Sequence, residues 1–232
     1  GRPDEDGNYS DRVKYGMMSV IIHEVGHNFF PMIVNSDERQ WGWMDEGLDT
    51  FMQYVAEQEY GERYPEDIAP NTKYPSRRGE PSKIVNYMKG DQKYIAPIMS
   101  NPENVYQLGN NAYGKPATAL NILRETVMGK ELFDYAFKTY AQRWMFKHPT
   151  PEDFFRTMED ASAVDLDWFW RGWFYSTDYV DIGLEGVKKY YVTDKPTKEG
   201  KELLERYGVQ DPSAVEALYV MAEDSEEMEA SL

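Results

Sequence analysis

The 232-residue chain carries 41 acidic against 25 basic side chains, a formal charge of −16, and no cysteine. That balance disfavours nucleic acid and anionic membrane as partners, since both need a basic face. The missing thiols exclude disulfides and thiolate metal sites, so any metal must be held by nitrogen and oxygen.

A hydrophobic content of 41%, with 15% aromatic residues, predicts a folded chain with one sizeable core. No apolar run of about 18 residues and no signal-peptide pattern occurs, so no segment is expected to insert in a membrane. The compartment stays open, an extracytoplasmic setting being favoured over a cytoplasmic one. The start at Gly1 reads as an internal cut.

The first predicted element is a helix over about 11–30, ended by Pro31. Met17, Met18, Val20, Ile21, Ile22, Val25, Phe29 and Phe30 cover most of its circumference, which predicts a central, buried helix. A second helix is expected over 45–60, closed by Gly61. Residues 62–111 are rich in Pro, Gly and Asn and read as loop, with one short helix near 82–88.

Helical periodicity resumes over 115–128, with Pro116 in its first turn, and again over 132–146. Thr150-Pro-Glu-Asp opens another helix through Met158, and 166–175 forms an aromatic-rich one. Alternation from Val180 into Tyr190 predicts a strand, followed by a short helix at 201–207. The segment from Asp211 to Leu232, with seven acids and no Lys or Arg, reads as a solvated, mobile tail. The expected units are 1–179, a β segment at 180–194 and a charged end at 195–232.

The chemistry concentrates in His23-Glu24-Val25-Gly26-His27. Two imidazoles four apart lie on one face of a helix, with Glu24 near enough to act on a metal-held water as general base. The chain has three His in all, and two of them form this pair. A polar patch on a solvated helix is the bland alternative, at odds with the apolar residues around it.

Glu46, nineteen residues after His27, would complete a two-His, one-carboxylate zinc set that leaves a fourth position open. By itself it reads equally as an acid favoured near a helix N-terminus.

These residues resemble the aminopeptidase N family of gluzincins, which includes leukotriene hydrolase. The spacing His-Glu-x-x-His, eighteen residues, Glu is met by His23, His27 and Glu46, and Gln40-Trp-Gly-Trp-Met-Asp-Glu-Gly is similar to the family's Trp-Leu-Asn-Glu-Gly word. The resemblance, over about 12–180, implies one Zn2+ ion, a peptide substrate and a mainly α fold. That fold would be the helical half of a thermolysin-like catalytic domain with a short β segment after about residue 180.

It also implies that Tyr113, in Tyr113-Gly114-Lys115-Pro116 where the family has Tyr-Glu-Lys-Gly, is the catalytic tyrosine that stabilises the oxyanion. The family's Gly-x-Met-x-Asn word, which binds the substrate's free amine, is not in this chain, and Pro31-Met32 stands where the family has Gly-Asn. A zinc-dependent aminopeptidase is the leading expectation. A zinc endopeptidase and a non-catalytic, zinc-stabilised scaffold are the alternatives.

Asp45 and Asp49 could orient a ligand imidazole or serve as first-turn helix acids. Arg77 and Arg78 read as solvated loop charge, with a peptide carboxylate as the alternative partner. His148 reads as a surface residue. The cluster Trp168, Phe169, Trp170, Trp173, Phe174 and Tyr175 reads as core rather than pocket lining.

Overall fold

Helical periodicity in the sequence is realised as helices in the computed structural model, which describes residues 1–68, 78–91, 93–180, 182–184, 190–193, 198–206 and 218–221. Gly1–Tyr179 forms one unit and Val180–Leu232 a second. In the first, the α-helices are α1 (Asp11–Gly26), α2 (Leu48–Arg63), α3 (Pro81–Met88), α4 (Lys115–Ile122), α5 (Lys130–Trp144), α6 (Pro151–Ser162) and α7 (Asp167–Phe174).

Two of these run on through wider turns. π-Helical turns occupy Trp43–Gly47 before α2, Gly109–Gly114 before α4 and Leu123–Val127 after it, and a kinked segment, Asn28–Ile33, follows α1. Such turns are frequent at functional sites, and the first two carry Glu46 and Tyr113.

The core is aromatic. Trp43 stacks on Phe155 at 5.8 Å and meets Phe174 edge-on at 4.8 Å. Phe154, fully buried on α6, meets Tyr140 of α5 edge-on at 4.8 Å. The start of α6 is fixed by a capping box, with Thr150 Oγ1 accepting from the Asp153 amide and the Asp153 carboxylate accepting from the Thr150 amide. Of the aromatic run on α7, Phe169, Trp170 and Phe174 are core, whereas Trp168 is 62% exposed.

Four sequence expectations need correction. α1 ends at Gly26 rather than near Phe30, because the chain turns through the Asn28–Ile33 segment, where Phe30 has non-helical φ/ψ. α1 is not buried all round: Tyr15 is its one buried residue, while Met17, Val20, Ile21 and Val25 are more than half exposed. An apolar circumference records what a helix could bury, and the described residues cover only the face turned to α2. Gly61 lies inside α2 instead of closing it.

The fourth concerns the second unit. Val180, Ile182, Gly183 and Leu184 are not strand, and β1 is Tyr190–Thr193. It pairs antiparallel with β2, Leu218–Met221, in register Tyr190 with Met221, so part of the supposed tail is a strand. Between them lies α8, Lys198–Arg206. The acidic residues Glu223–Glu229 lie outside the described residues.

The contrast between the two apolar environments predicts stability effects of different size. Phe154→Ala should cost about 3–5 kcal/mol through lost burial and a cavity. Ile21→Ser, on the uncovered face of α1, should stay within about 0.5 kcal/mol. Urea denaturation of the two variants measures both.

Candidate metal centre

α1 delivers His23 and His27 four residues apart, one turn above the other, and their rings meet edge-on with centroids 4.6 Å apart. The turn before α2 delivers Asp45 and Glu46, and the first turn of α2 delivers Asp49. Two imidazoles thus face three carboxylates. Nε2 of His23 lies 3.1 Å, and Nε2 of His27 3.4 Å, from the same oxygen of Glu46, Oε2. Both separations are close to the roughly 3.3–3.4 Å between neighbouring ligand atoms of a tetrahedral ion bound at about 2.0–2.1 Å.

The Nδ1 sides of the rings face other partners. His23 Nδ1 lies 2.8 Å from Asp49 Oδ2 and 3.1 Å from Gln53 Oε1. His27 Nδ1 donates to the Phe30 carbonyl at 2.9 Å, with Asp45 Oδ1 at 3.1 Å. Partners of this kind fix the tautomer that keeps Nε2 free as a lone-pair donor.

His23, His27 and Asp49, or His27, Asp45 and Glu46, are also close enough together to share an ion. Accessibility separates the carboxylates. The Asp49 side chain is 1% exposed, whereas that of Glu46 is 23% exposed and leaves room for water or substrate beside it. A catalytic ion needs that open position, which favours Glu46 as ligand and leaves Asp49 behind the ring.

The electrostatics follow from this crowding. Contacts with Asp49 and Glu46 raise the His23 imidazole to about 10, against the effect of its burial. Burial also opposes charge on Glu46, but interactions with His23, Tyr113 and His27 together outweigh it and hold the carboxyl below its ordinary value. Burial, then repulsion from Glu46, pushes Asp45 up to about 7, and burial raises Asp49. A site that holds a proton this firmly suits a cation bound by neutral nitrogen and anionic oxygen.

Tyr113 is half-buried, its ring stacked 6.0 Å from that of His23. Burial and the neighbouring Glu46 carboxylate raise its phenol well above the ordinary value, so it stays neutral and able to donate. Its segment is anchored by Asn111, which donates to the carbonyls of Ala96 and Pro97. Close approach to α2 needs Gly47, where a Cβ would come within 2.6 Å of Pro116 and 2.9 Å of the Ala112 carbonyl.

Glu24 stands exposed on α1, with no ion pair among the described residues. His148 is exposed, and its Nδ1 lies 3.0 Å from the Asn35 carbonyl oxygen. Arg77 lies outside the described residues.

Sequence reasoning passed over three supporting residues. Gln53 donates from Nε2 to Glu57 Oε1 at 2.8 Å, and both are buried behind His23. Asp45, Asp49, Gln53 and Glu57 recur every four residues, a polar stripe on one helix face that the sequence does display. Gly26 is the third: a side chain there would collide with the Asp49 carboxylate.

Residues 4–173 match the Peptidase family M1 domain. Over 188 residues the chain is 22% identical to aminopeptidase N of Lactococcus lactis subsp. lactis, an alignment covering 78% of this chain and 21% of that protein. It is 23% identical over 177 residues to glutamyl aminopeptidase of Homo sapiens, covering 73% and 17%. It is also 23% identical over 160 residues to endoplasmic reticulum aminopeptidase 1 of Mus musculus, covering 66% and 16%. The chain spans roughly a fifth of the length of these relatives.

Gly26→Ala should displace Asp49 and unseat His23 while leaving the helices formed. Affinity for a divalent metal, measured by chelator competition, is expected to fall about 10- to 100-fold. An unchanged affinity would show that Asp49 does not orient the ring.

Proposed function

This chain belongs to peptidase family M1, and from that membership we propose that the protein is a zinc-dependent aminopeptidase. In this reading His23, His27 and Glu46 hold one zinc ion, Glu24 is the general base and Tyr113 donates to the oxyanion. The observation that carries it is the convergence of both imidazole Nε2 atoms on one oxygen of Glu46, with the Tyr113 ring beside them. The names of the relatives favour release of N-terminal residues over internal cleavage.

Zinc, when bound, supplies Lewis-acid polarisation of the scissile carbonyl and lowers the pKa of a water ligand to about 7. The residues of the chain supply the proton traffic. Glu24, one position after His23, takes a proton from the attacking water and hands it to the departing amine nitrogen. Tyr113, kept neutral by burial and by Glu46, donates a hydrogen bond to the carbonyl oxygen as negative charge develops there. Asp49 and Gln53 hold the His23 ring in place from its Nδ1 side.

Glu24→Gln removes the proton acceptor but no ligand. The variant should retain stoichiometric zinc and lose at least about 100-fold in peptide hydrolysis. Wild-type turnover in that variant would overturn the assignment. For exopeptidase action, a peptide with a free α-amine should be cleaved and its N-acetylated counterpart spared. Equal cleavage of the two identifies an endopeptidase.

Zinc uptake should also depend on pH, because the metal takes the neutral imidazole and His23 is raised to about 10 in the metal-free protein. Affinity should therefore climb by about tenfold per pH unit from 6.5 towards 10 as the displaced proton becomes easier to remove. In the metal-free protein the same raised pKa stabilises the fold fully below 6.5, and that stabilisation is lost as pH rises through about 10. Chelator competition at several pH values checks the slope.

A further inference from the structure

The loop entering α3 carries a cation that the chemistry above does not use. Arg78 Cζ lies 4.8 Å from the centroid of the Tyr113 ring. The guanidinium is exposed, and among the described residues no carboxylate stands within ion-pair distance of it.

Its place is fixed by its neighbour. Gly79 has φ +105°, a conformation suited to glycine, and a Cβ there would come within 2.9 Å of the Tyr54 ring on α2. The Gly79 carbonyl accepts a 3.0 Å hydrogen bond from the buried side chain of Asn121 on α4. α4 begins two residues after Tyr113, so one helix anchors both the tyrosine and the turn that lays Arg78 over it. A merely solvated loop charge would need none of these anchors.

We infer that Arg78 is a specificity-determining residue that receives a carboxylate carried by the peptide, one or two residues from the bond to be cut. The inference rests on the peptidase reading of the site. An extended peptide advances about 3.3–3.6 Å per residue, so the 4.8 Å between the guanidinium and the Tyr113 ring falls between an advance of one residue and of two. A guanidinium held over an aromatic face keeps its fork of N–H donors available to a carboxylate. Asp45, Glu46 and Asp49 would otherwise repel an anionic peptide, and the cation beside Tyr113 offsets them. The carboxylate can be an acidic side chain or the free C-terminus.

The test is calorimetric peptide binding to the zinc-loaded protein carrying Glu24→Gln, so that peptide is not consumed. Two matched pairs are compared, a C-terminal acid with its amide and a Glu-containing peptide with its Gln counterpart. In at least one pair the acid form should bind about tenfold more tightly, and the responding pair identifies the source of the carboxylate. Adding Arg78→Ala should bring that ratio close to one, and Arg78→Lys should keep part of it. No measurable binding, equal binding within both pairs, or a preference that survives Arg78→Ala overturns the inference. If the preference depends on Arg78 but the protein with native Glu24 cleaves neither peptide, the carboxylate site stands and the proposed reaction falls.

Discussion

The carboxylate of Asp49, buried at the head of α2, lies 2.8 Å from His23 Nδ1 on α1, and the rest of the centre is arranged around that approach. It is possible only because Gly26 has no side chain. Closing α1 onto α2 in this way sets the His23 ring, turns its Nε2 towards Glu46 and stacks its face near Tyr113. Removing one partner would leave a buried charge without compensation, a larger penalty than the loss of a surface ion pair.

Positional accuracy at the centre derives from the aromatic core. Trp43 is wedged among Phe154, Phe155 and Phe174, and the turn it anchors presents Asp45 and Glu46 two and three residues later. Phe30 stacks on Tyr140 of α5, which holds the carbonyl that accepts from His27. The segment after α1 is also tied to the end of α5, by the Phe146 amide to the Ile33 carbonyl and the Asn35 amide to the Lys147 carbonyl. Lys115, buried with its Nζ donating to the Ser176 carbonyl and its pKa lowered to about 8 by burial, links the head of α4 to the chain just after α7. Ligands on short turns are held as rigidly as the large side chains that flank them.

Much of this was legible in the sequence because local rules dominate it. Thr150 and Asp153 announce their capping box, and the spacings within 23–27 and on to 46 bring the ligand candidates together. Two misreadings share one cause. The apolar circumference of α1 predicted burial, and the acid-rich composition after Asp211 predicted an unstructured tail, yet α1 is largely exposed and Leu218–Met221 pairs with β1. Periodicity and composition state what a segment can do, whereas burial and strand pairing depend on which other segments reach it.

The sequence alone determined the donor types, their spacing and the helices that carry them, since a separation of four residues on a helix dictates a shared face whatever surrounds it. Tertiary structure set three neighbouring acids apart. Spacing singles out Glu46 as the ligand candidate, but how deeply each acid is buried and which ring nitrogen it meets follow from the packing of α1 on α2, which puts Glu46 Oε2 at both Nε2 atoms and Asp45 and Asp49 at the Nδ1 sides. Tertiary structure likewise turned Arg78 from an ordinary loop charge into a cation held over the Tyr113 ring, through a contact between residues 35 apart in the chain that no local pattern encodes.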